Sequence, residues 1–141
     1  MKDSQKNFLI KPLIVLFIAL FSVISCRGED DTEDVTPLVG NWEWVSSIGG
    51  VGNTTETPTS TGNNIVFNFG ADKKYTITTN GTVTNEGTFS LYKNVSNLEH
   101  LDRLYIDFSN YPDKMIINND GVNLVWSDDA NNGYTSTYKK K

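Results

Sequence analysis

The sequence predicts an all-β fold, a small antiparallel up-and-down β-barrel of about eight strands. Three observations predict it. From Pro37 onward the chain is rich in Thr, Asn, Gly, Val, Ile and aromatic residues, the types that suit pleated, half-buried backbone and its turns. Short runs in which apolar and polar residues alternate recur between turn-forming residues. No stretch of this region sustains the 3.6-residue apolar period of an amphipathic helix.

The elements follow in order. Residues 41–48 place Trp42, Trp44 and Ile48 on one face of a first strand. Residues 65–69 alternate Ile65, Phe67 and Phe69 with Val66 and Asn68, and residues 75–79 offer Tyr75 and Ile77. Asn80-Gly81 is a two-residue hairpin signal, because both residues tolerate positive φ. Residues 82–92 carry Val83, Phe89 and Leu91 on one parity, with Gly87 as a candidate bend or bulge. Residues 94–101 suit a turn or a single helical turn. Leu104, Ile106 and Phe108 alternate with Tyr105 and Asp107, and Tyr111-Pro112-Asp113-Lys114 reads as a turn. Residues 115–118 and 122–127 flank a second hairpin turn at Asn119-Asp120-Gly121. The last pair closes through residues 128–133 into residues 134–138. One connection is far longer: residues 49–64 are Gly, Thr, Asn, Ser and Pro with few apolar residues, and are expected to be mobile.

The inward set expected from this alternation is Trp42, Trp44, Phe67, Phe69, Tyr75, Ile77, Phe89, Leu91, Ile106, Phe108, Leu124 and Trp126. An eight-stranded barrel either fills its interior with side chains or holds one small ligand. In the second case Trp42, Trp44, Phe67, Phe69, Tyr75, Phe89, Ile106 and Trp126 are the candidate ligand-binding residues. Core packing alone accounts for the same residues, since buried aromatics supply much of the stability of a small β domain.

The N-terminus is of another kind. Lys2, Lys6 and Lys11 form a basic stretch, and residues 13–24 are almost wholly apolar. As a helix that run spans roughly 18 Å, short of the roughly 30 Å core of a bilayer. It suits the apolar region of a signal peptide. Val23-Ile24-Ser25-Cys26 follows at once and resembles the lipobox of bacterial lipoprotein precursors. The resemblance implies cleavage before Cys26, the only cysteine, and lipid attachment to its thiol, which anchors the mature chain in a membrane. Residues 1–25 are then the signal peptide. Residues 26–36, acidic and without a large apolar cluster, are a flexible tether, and residues 37–141 are the folded domain. The acidic run after Cys26 resembles the signal by which some Gram-negative lineages export lipoproteins to the cell surface. Arg27 in place of an aspartate speaks against inner-membrane retention. The expected location is the cell envelope, at the outer membrane, with surface display as its further form.

Composition bounds the partners. The chain has 12 Lys and Arg against 17 Asp and Glu. Cleavage before Cys26 removes three lysines and one aspartate, leaving 9 against 16, a net charge of −7. Such a chain is not expected to bind nucleic acid, and its net charge does not attract it to anionic membrane surfaces. His100 is the only histidine and has no cysteine near it in sequence, so no transition-metal site is expected. Ser96, Ser109 and Glu99 stand at no recognisable catalytic spacing from it, and no cofactor motif occurs. Asp128-Asp129-Ala130-Asn131-Asn132-Gly133 has the flavour of a calcium loop. Ala130 and Lys139 occupy positions where such a loop needs ligands, so a polar hairpin is expected.

Gly40-Asn41-Trp42, opening the first strand, matches the G-x-W motif of lipocalins. Leu38-Val39-Gly40-Asn41-Trp42-Glu43-Trp44, the 64–69 strand and the 74–89 segment together resemble the small lipocalin-like domains of bacterial lipoproteins. The resemblance covers residues 37–139. It implies an eight-stranded barrel, a motif tryptophan plugging the closed end, and a cavity for a small apolar ligand. The chain departs from the pattern in three ways. The folded part is shorter. The arginine that packs on the motif tryptophan is missing, with only Lys139, Lys140 and Lys141 in the tail. The Thr-Asp motif has no clear match, Asp107 and Tyr111 being poor substitutes. The resemblance therefore implies a membrane-anchored binder of a small apolar ligand. The alternative is a non-catalytic envelope module with a filled core, binding a protein or a glycan through its loops.

Overall fold

The computed structural model describes residues 33–141. The expected signal peptide, Cys26 and the first part of the tether lie outside the described residues. The first strand, β1 (Gly40–Gly49), is entered through a 3-10 turn over Thr36–Leu38, with Pro37 where its fixed φ suits a first turn. The remaining elements are β2 (Thr54–Glu56), α1 (Pro58–Thr61), β3 (Ile65–Phe69), β4 (Lys74–Thr79), β5 (Thr82–Val95), β6 (Asp102–Phe108), β7 (Tyr111–Asn119), β8 (Asn123–Ser127) and β9 (Thr135–Lys140).

Every pairing is antiparallel, and the strand order is β2-β1-β3-β4-β5-β6-β7-β8-β9 with β1 also bonded to β9. Strands β1 and β3–β9 thus close a lipocalin-like barrel of eight strands, and β2 is an extra strand beside the far half of β1. Hairpin-length connections force this meander, and closure removes the free edges that an open sheet would expose.

Alternation places the core. All twelve residues of the expected inward set are buried in one cluster, with Leu38 and Tyr138 added to it. Where parity reading went astray, an extra residue is responsible. β1 bulges between Trp44 and Ser46 opposite β9, so Val45 shifts the register. Ser47 then turns inward, and Ile48, which simple alternation puts on the face of Trp42 and Trp44, is exposed. In β5 the bulge falls at Thr84, between the residues opposite Ile77 and Thr78, and leaves Val83 exposed. Gly87 pairs regularly with Tyr75 and is no bulge. A Cβ there would collide with Ser109 Oγ, so close approach is what calls for glycine.

Two further expectations are corrected. Residues 111–114 are not a turn but the start of β7; the turn is Ser109-Asn110, and Pro112 sits in a bulge opposite β6, where its missing N–H costs no ladder bond. The long 49–64 segment has structure of its own. β2 pairs with β1, and α1 carries a reciprocal cap between Thr57 and Ser60 and ends on Gly62 at φ 71. The residues that gave this segment its low-complexity look are these cap and turn residues.

The folded part also begins earlier than Pro37. Val35 packs against the core, and Glu33 pairs with Lys93 of β5 at 2.6 Å, so residues 33–36 are not free tether.

Candidate functional site

The two ends of the barrel differ. At the Gly40 end, Leu38 is buried and its carbonyl accepts a hydrogen bond from Trp42 Nε1 at 2.7 Å. Asn119 Nδ2 donates to the Pro37 carbonyl at 3.3 Å, so the entering segment is tied down across this end. Lys140 Nζ lies 5.1 Å above the Trp42 ring. A lysine thus stands over Trp42 within reach of a cation–π attraction. The G of the motif has its own reason: Gly40 has φ 131, and a Cβ there would press on the Lys140 side chain.

The middle of the barrel is filled. Phe67 packs on Trp126 at 4.9 Å between ring centroids, on Tyr138 at 5.4 Å, on Tyr111 at 5.7 Å, on Phe69 at 5.9 Å and on Phe108 at 6.2 Å. These partners come from β3, β6, β7, β8 and β9, so the contacts cross the barrel from wall to wall. Phe69 continues the cluster to Phe89 at 4.8 Å, and Tyr75 meets Phe108 at 4.9 Å while its hydroxyl donates to Asn85 Oδ1 at 2.8 Å. Of the eight candidate ligand-binding residues, Phe67, Phe69, Tyr75, Phe89 and Trp126 are joined by these ring contacts. Ile106 is fully buried in the same cluster, as is Trp42 at the Gly40 end, and Trp44 sits toward the other end.

That other end, called the mouth for its place at the far end of β1, gathers the β1–β2 turn, α1, the Asn80-Gly81 hairpin, the Ser109-Asn110 turn and residues 128–134. Polar groups face inward here. Trp44 Nε1 donates to Ser47 Oγ at 2.9 Å, and Ser47 and Ser136 share a hydrogen bond of 2.7 Å. Lys114 pairs with the inward-facing Ile106, so its side chain enters the barrel beneath the mouth. It is only 12% exposed and forms an ion pair with Asp128, itself 30% exposed. Its Nζ lies 5.2 Å from the centre of the Tyr111 ring, a half-buried aromatic that packs on Phe67 and Phe108.

The electrostatics follow from those neighbours. Burial pushes the Asp128 carboxyl up, but the Lys114 hydrogen bond, the Tyr134 N–H at 2.9 Å and the lysine charge outweigh it and hold the pKa below the ordinary value. Tyr111 is pushed up by burial first and then by the Asp128 charge. Tyr138, deep in the cluster, is pushed up chiefly by burial.

The same loop carries a second, outward-facing carboxylate. Asp129 accepts from Asn97 N at 2.7 Å, Ser96 Oγ at 2.8 Å, Tyr105 Oη at 2.8 Å, Asn97 Nδ2 at 3.0 Å and Leu98 N at 3.2 Å. These bonds, the Asn97 N–H foremost, hold its pKa at about 2. They draw the 128–134 loop onto the β5–β6 turn, beside Tyr105, which stacks on Tyr92 at 5.2 Å. Tyr105 faces outward by parity yet is buried, as is Met115 opposite it.

Both aspartates of the calcium-like loop are therefore engaged by side chains and amides, as a polar hairpin requires. Among the described residues no group of three or more His, Cys, Asp or Glu is placed to hold a metal. His100 takes φ 56 in the β5–β6 turn, its amide donating to the Ser96 carbonyl at 3.0 Å. Among the described residues no helix is long and apolar enough to cross a membrane. No family model matches this chain, and neither does any curated protein or solved structure.

Lys114, Asp128 and Tyr111 were not among the residues expected from sequence. Their signal was present: Lys114 shares the parity of Ile116. Reading Pro112-Asp113 as a turn cut the strand short and hid it.

Proposed function

We propose that this chain is a lipid-anchored envelope protein of the lipocalin-like kind, a binding protein and not an enzyme, which takes a small amphiphilic ligand at the mouth of its barrel. The anchor is the thiol of Cys26, in the lipobox-like Val23-Ile24-Ser25-Cys26. The observation that carries the ligand reading is Lys114, an inward-pointing cation at the Gly49 end of an aromatic barrel, with half-buried Tyr111 beside it. Below that level Phe67 and its ring partners occupy the interior, so the reading confines the ligand to the mouth. Small-molecule sites combine apolar lining with a few placed polar groups, and this mouth has both.

Native mass spectrometry of the mature chain, released from its own envelope, tests this. The expected result is an added non-covalent mass of a few hundred daltons that Lys114→Met abolishes. A bare apo mass in every preparation, together with no saturable uptake of an amphiphilic fluorescent probe, would remove the ligand reading.

The filled interior itself favours a second reading, in which the barrel is a rigid support and the loops at the mouth bind an envelope protein or a glycan. Residues 49–64 are then the working surface. Their deletion would abolish capture of a partner from envelope extracts while leaving the melting curve of the barrel in place.

A further inference from the structure

The Lys114–Asp128 pair is odd as a structural device. An ion pair drawn partly out of water contributes little net stability, because desolvation offsets the attraction. A hydrophobic pair would serve the inward face of β7 as well. The lysine does have one property a hydrophobe lacks: its ammonium carries three donors and holds a carboxylate at the rim of an apolar interior. The carboxylate it now holds comes from a loop and not from a strand. Asp128 lies just beyond β8, its other oxygen accepts the Tyr134 N–H, and it is the more exposed partner of the two.

We propose that Lys114 is the head-group site for an alkyl monocarboxylate, and that Asp128 is a built-in competitor which the ligand's carboxylate displaces. This rests on the reading that a ligand occupies the mouth, and names its class and the way it enters. The exchange swaps one carboxylate for another on the same ammonium, so its electrostatic change is small. Affinity then comes from the alkyl chain, which would lie against Tyr111 and Ile65, two core-rim residues that are only partly buried. One ammonium beside a loop aspartate suits a single negative charge. A dianionic head would meet Asp128 as a repulsive neighbour, and a neutral head would leave the lysine no reason to part from it.

Displacement has a structural consequence. Drawn off Lys114, the Asp128 carboxylate also leaves the Tyr134 N–H, while the Asp128 N–H still donates to the Tyr134 carbonyl at 3.0 Å and Asp129 still ties the loop to Asn97 and Tyr105. Ligand entry and release of the Tyr134 amide are then one event.

The test uses a chain starting at Thr32, which contains every strand and every core residue described above. Decanoate and decanol are titrated into the wild type, Lys114→Met and Asp128→Asn, followed by the amide signals of Tyr134 and Asn97. The expected result is saturable decanoate binding that shifts the Tyr134 amide and leaves Asn97 unmoved. Lys114→Met should weaken decanoate about tenfold or more, and Asp128→Asn should strengthen it by a similar factor, the worth of one charge-assisted hydrogen bond. Decanol should respond to neither substitution. If Asp128→Asn does not fold, the wild-type Tyr134 shift still decides. Equal binding of decanoate and decanol in the wild type and Lys114→Met, or decanoate binding with Tyr134 unmoved, would overturn the head-group site and leave a mouth ligand standing. Binding of neither would overturn both.

Discussion

Phe67 shows how much of this fold rests on single side chains. Its ring meets five other aromatic rings drawn from both walls of the barrel. Phe67→Ala removes those contacts and leaves a cavity that the rigid barrel cannot collapse around, a change that costs about 3–5 kcal/mol. Set against the roughly 5–15 kcal/mol that holds a domain folded, it should move the urea midpoint by a large fraction; a shift equivalent to under about 1 kcal/mol would contradict the packing. Asp129 is a different case, since its effect depends on pH. Its folded-state pKa of about 2 lies below the ordinary aspartate value near ~3.9. Its contribution is therefore complete above the ordinary value and is lost as pH falls through the lower one. Acidification from about pH 4 to pH 2 should release the 128–134 loop from the β5–β6 turn. Asp120 titrates in the same range, but it holds the Val122 and Asn123 amides of another turn. Asp128, also held below the ordinary value, accepts from Tyr134 and Lys114 and not from Asn97. The Asn97 amide thus reports Asp129 directly, and Asp129→Asn should abolish the greater part of its low-pH shift. Neither carboxylate role was visible in the sequence, where the pair 128–129 reads only as polar loop. Phe67 was, because its parity and size mark it as core.

At the scale of elements, alternation was a good guide wherever a strand keeps strict register. The runs at 65–69, 75–79 and 104–108 were placed correctly, with their inward faces. It failed at Val45, Thr84 and Pro112-Asp113, where a strand carries an extra residue. A bulge answers to the twist that neighbouring strands demand, and the neighbours lie far away in the sequence. Tyr105 stands on the outward face, as the alternation places it, yet it is buried, because a loop drawn in from residue 129 covers that face, and no local pattern records this. The 49–64 segment illustrates the opposite error, of reading polar composition as lack of structure. Asn80, at φ 53, closes the β4–β5 hairpin and also reaches this segment. Its Oδ1 accepts the Asn64 amide at 2.8 Å and its Nδ2 donates to the Gly62 carbonyl at 3.2 Å. Asn80→Gly keeps the positive φ and removes both bonds, so it should leave the barrel melting temperature within a few degrees while residues 57–64 become cleavable in limited proteolysis. Protection equal to the wild type would show that α1 and its cap hold this segment without the hairpin.

For the whole molecule, the order of strands was legible in local pattern, whereas closure was expected from physical argument and not from any pattern. Short connections between alternating runs dictate an antiparallel meander, but the β1–β9 seam joins residues about a hundred positions apart, such as Trp42 and Lys140. What made closure the natural expectation was physical: an open sheet of this length leaves two edges for aggregation, and a barrel leaves none. Closure also bears on the anchor. Among the described residues the core runs from Val35 to Tyr138, and β1 and β3–β9 close the barrel with one another. The proposed attachment through Cys26 should then be separable from folding. Cys26→Ala should end incorporation of labelled palmitate and block cleavage by the lipoprotein peptidase. The same barrel, produced without residues 1–25, should melt at the wild-type temperature. A single acyl chain binds only reversibly, whereas several chains on one residue hold a protein in place, so the wild type should resist extraction by salt and yield only to detergent. A wild-type chain that washes off in high salt, with its thiol free to react, would detach the lipoprotein reading from the barrel and leave the mouth at Lys114 to be explained in solution.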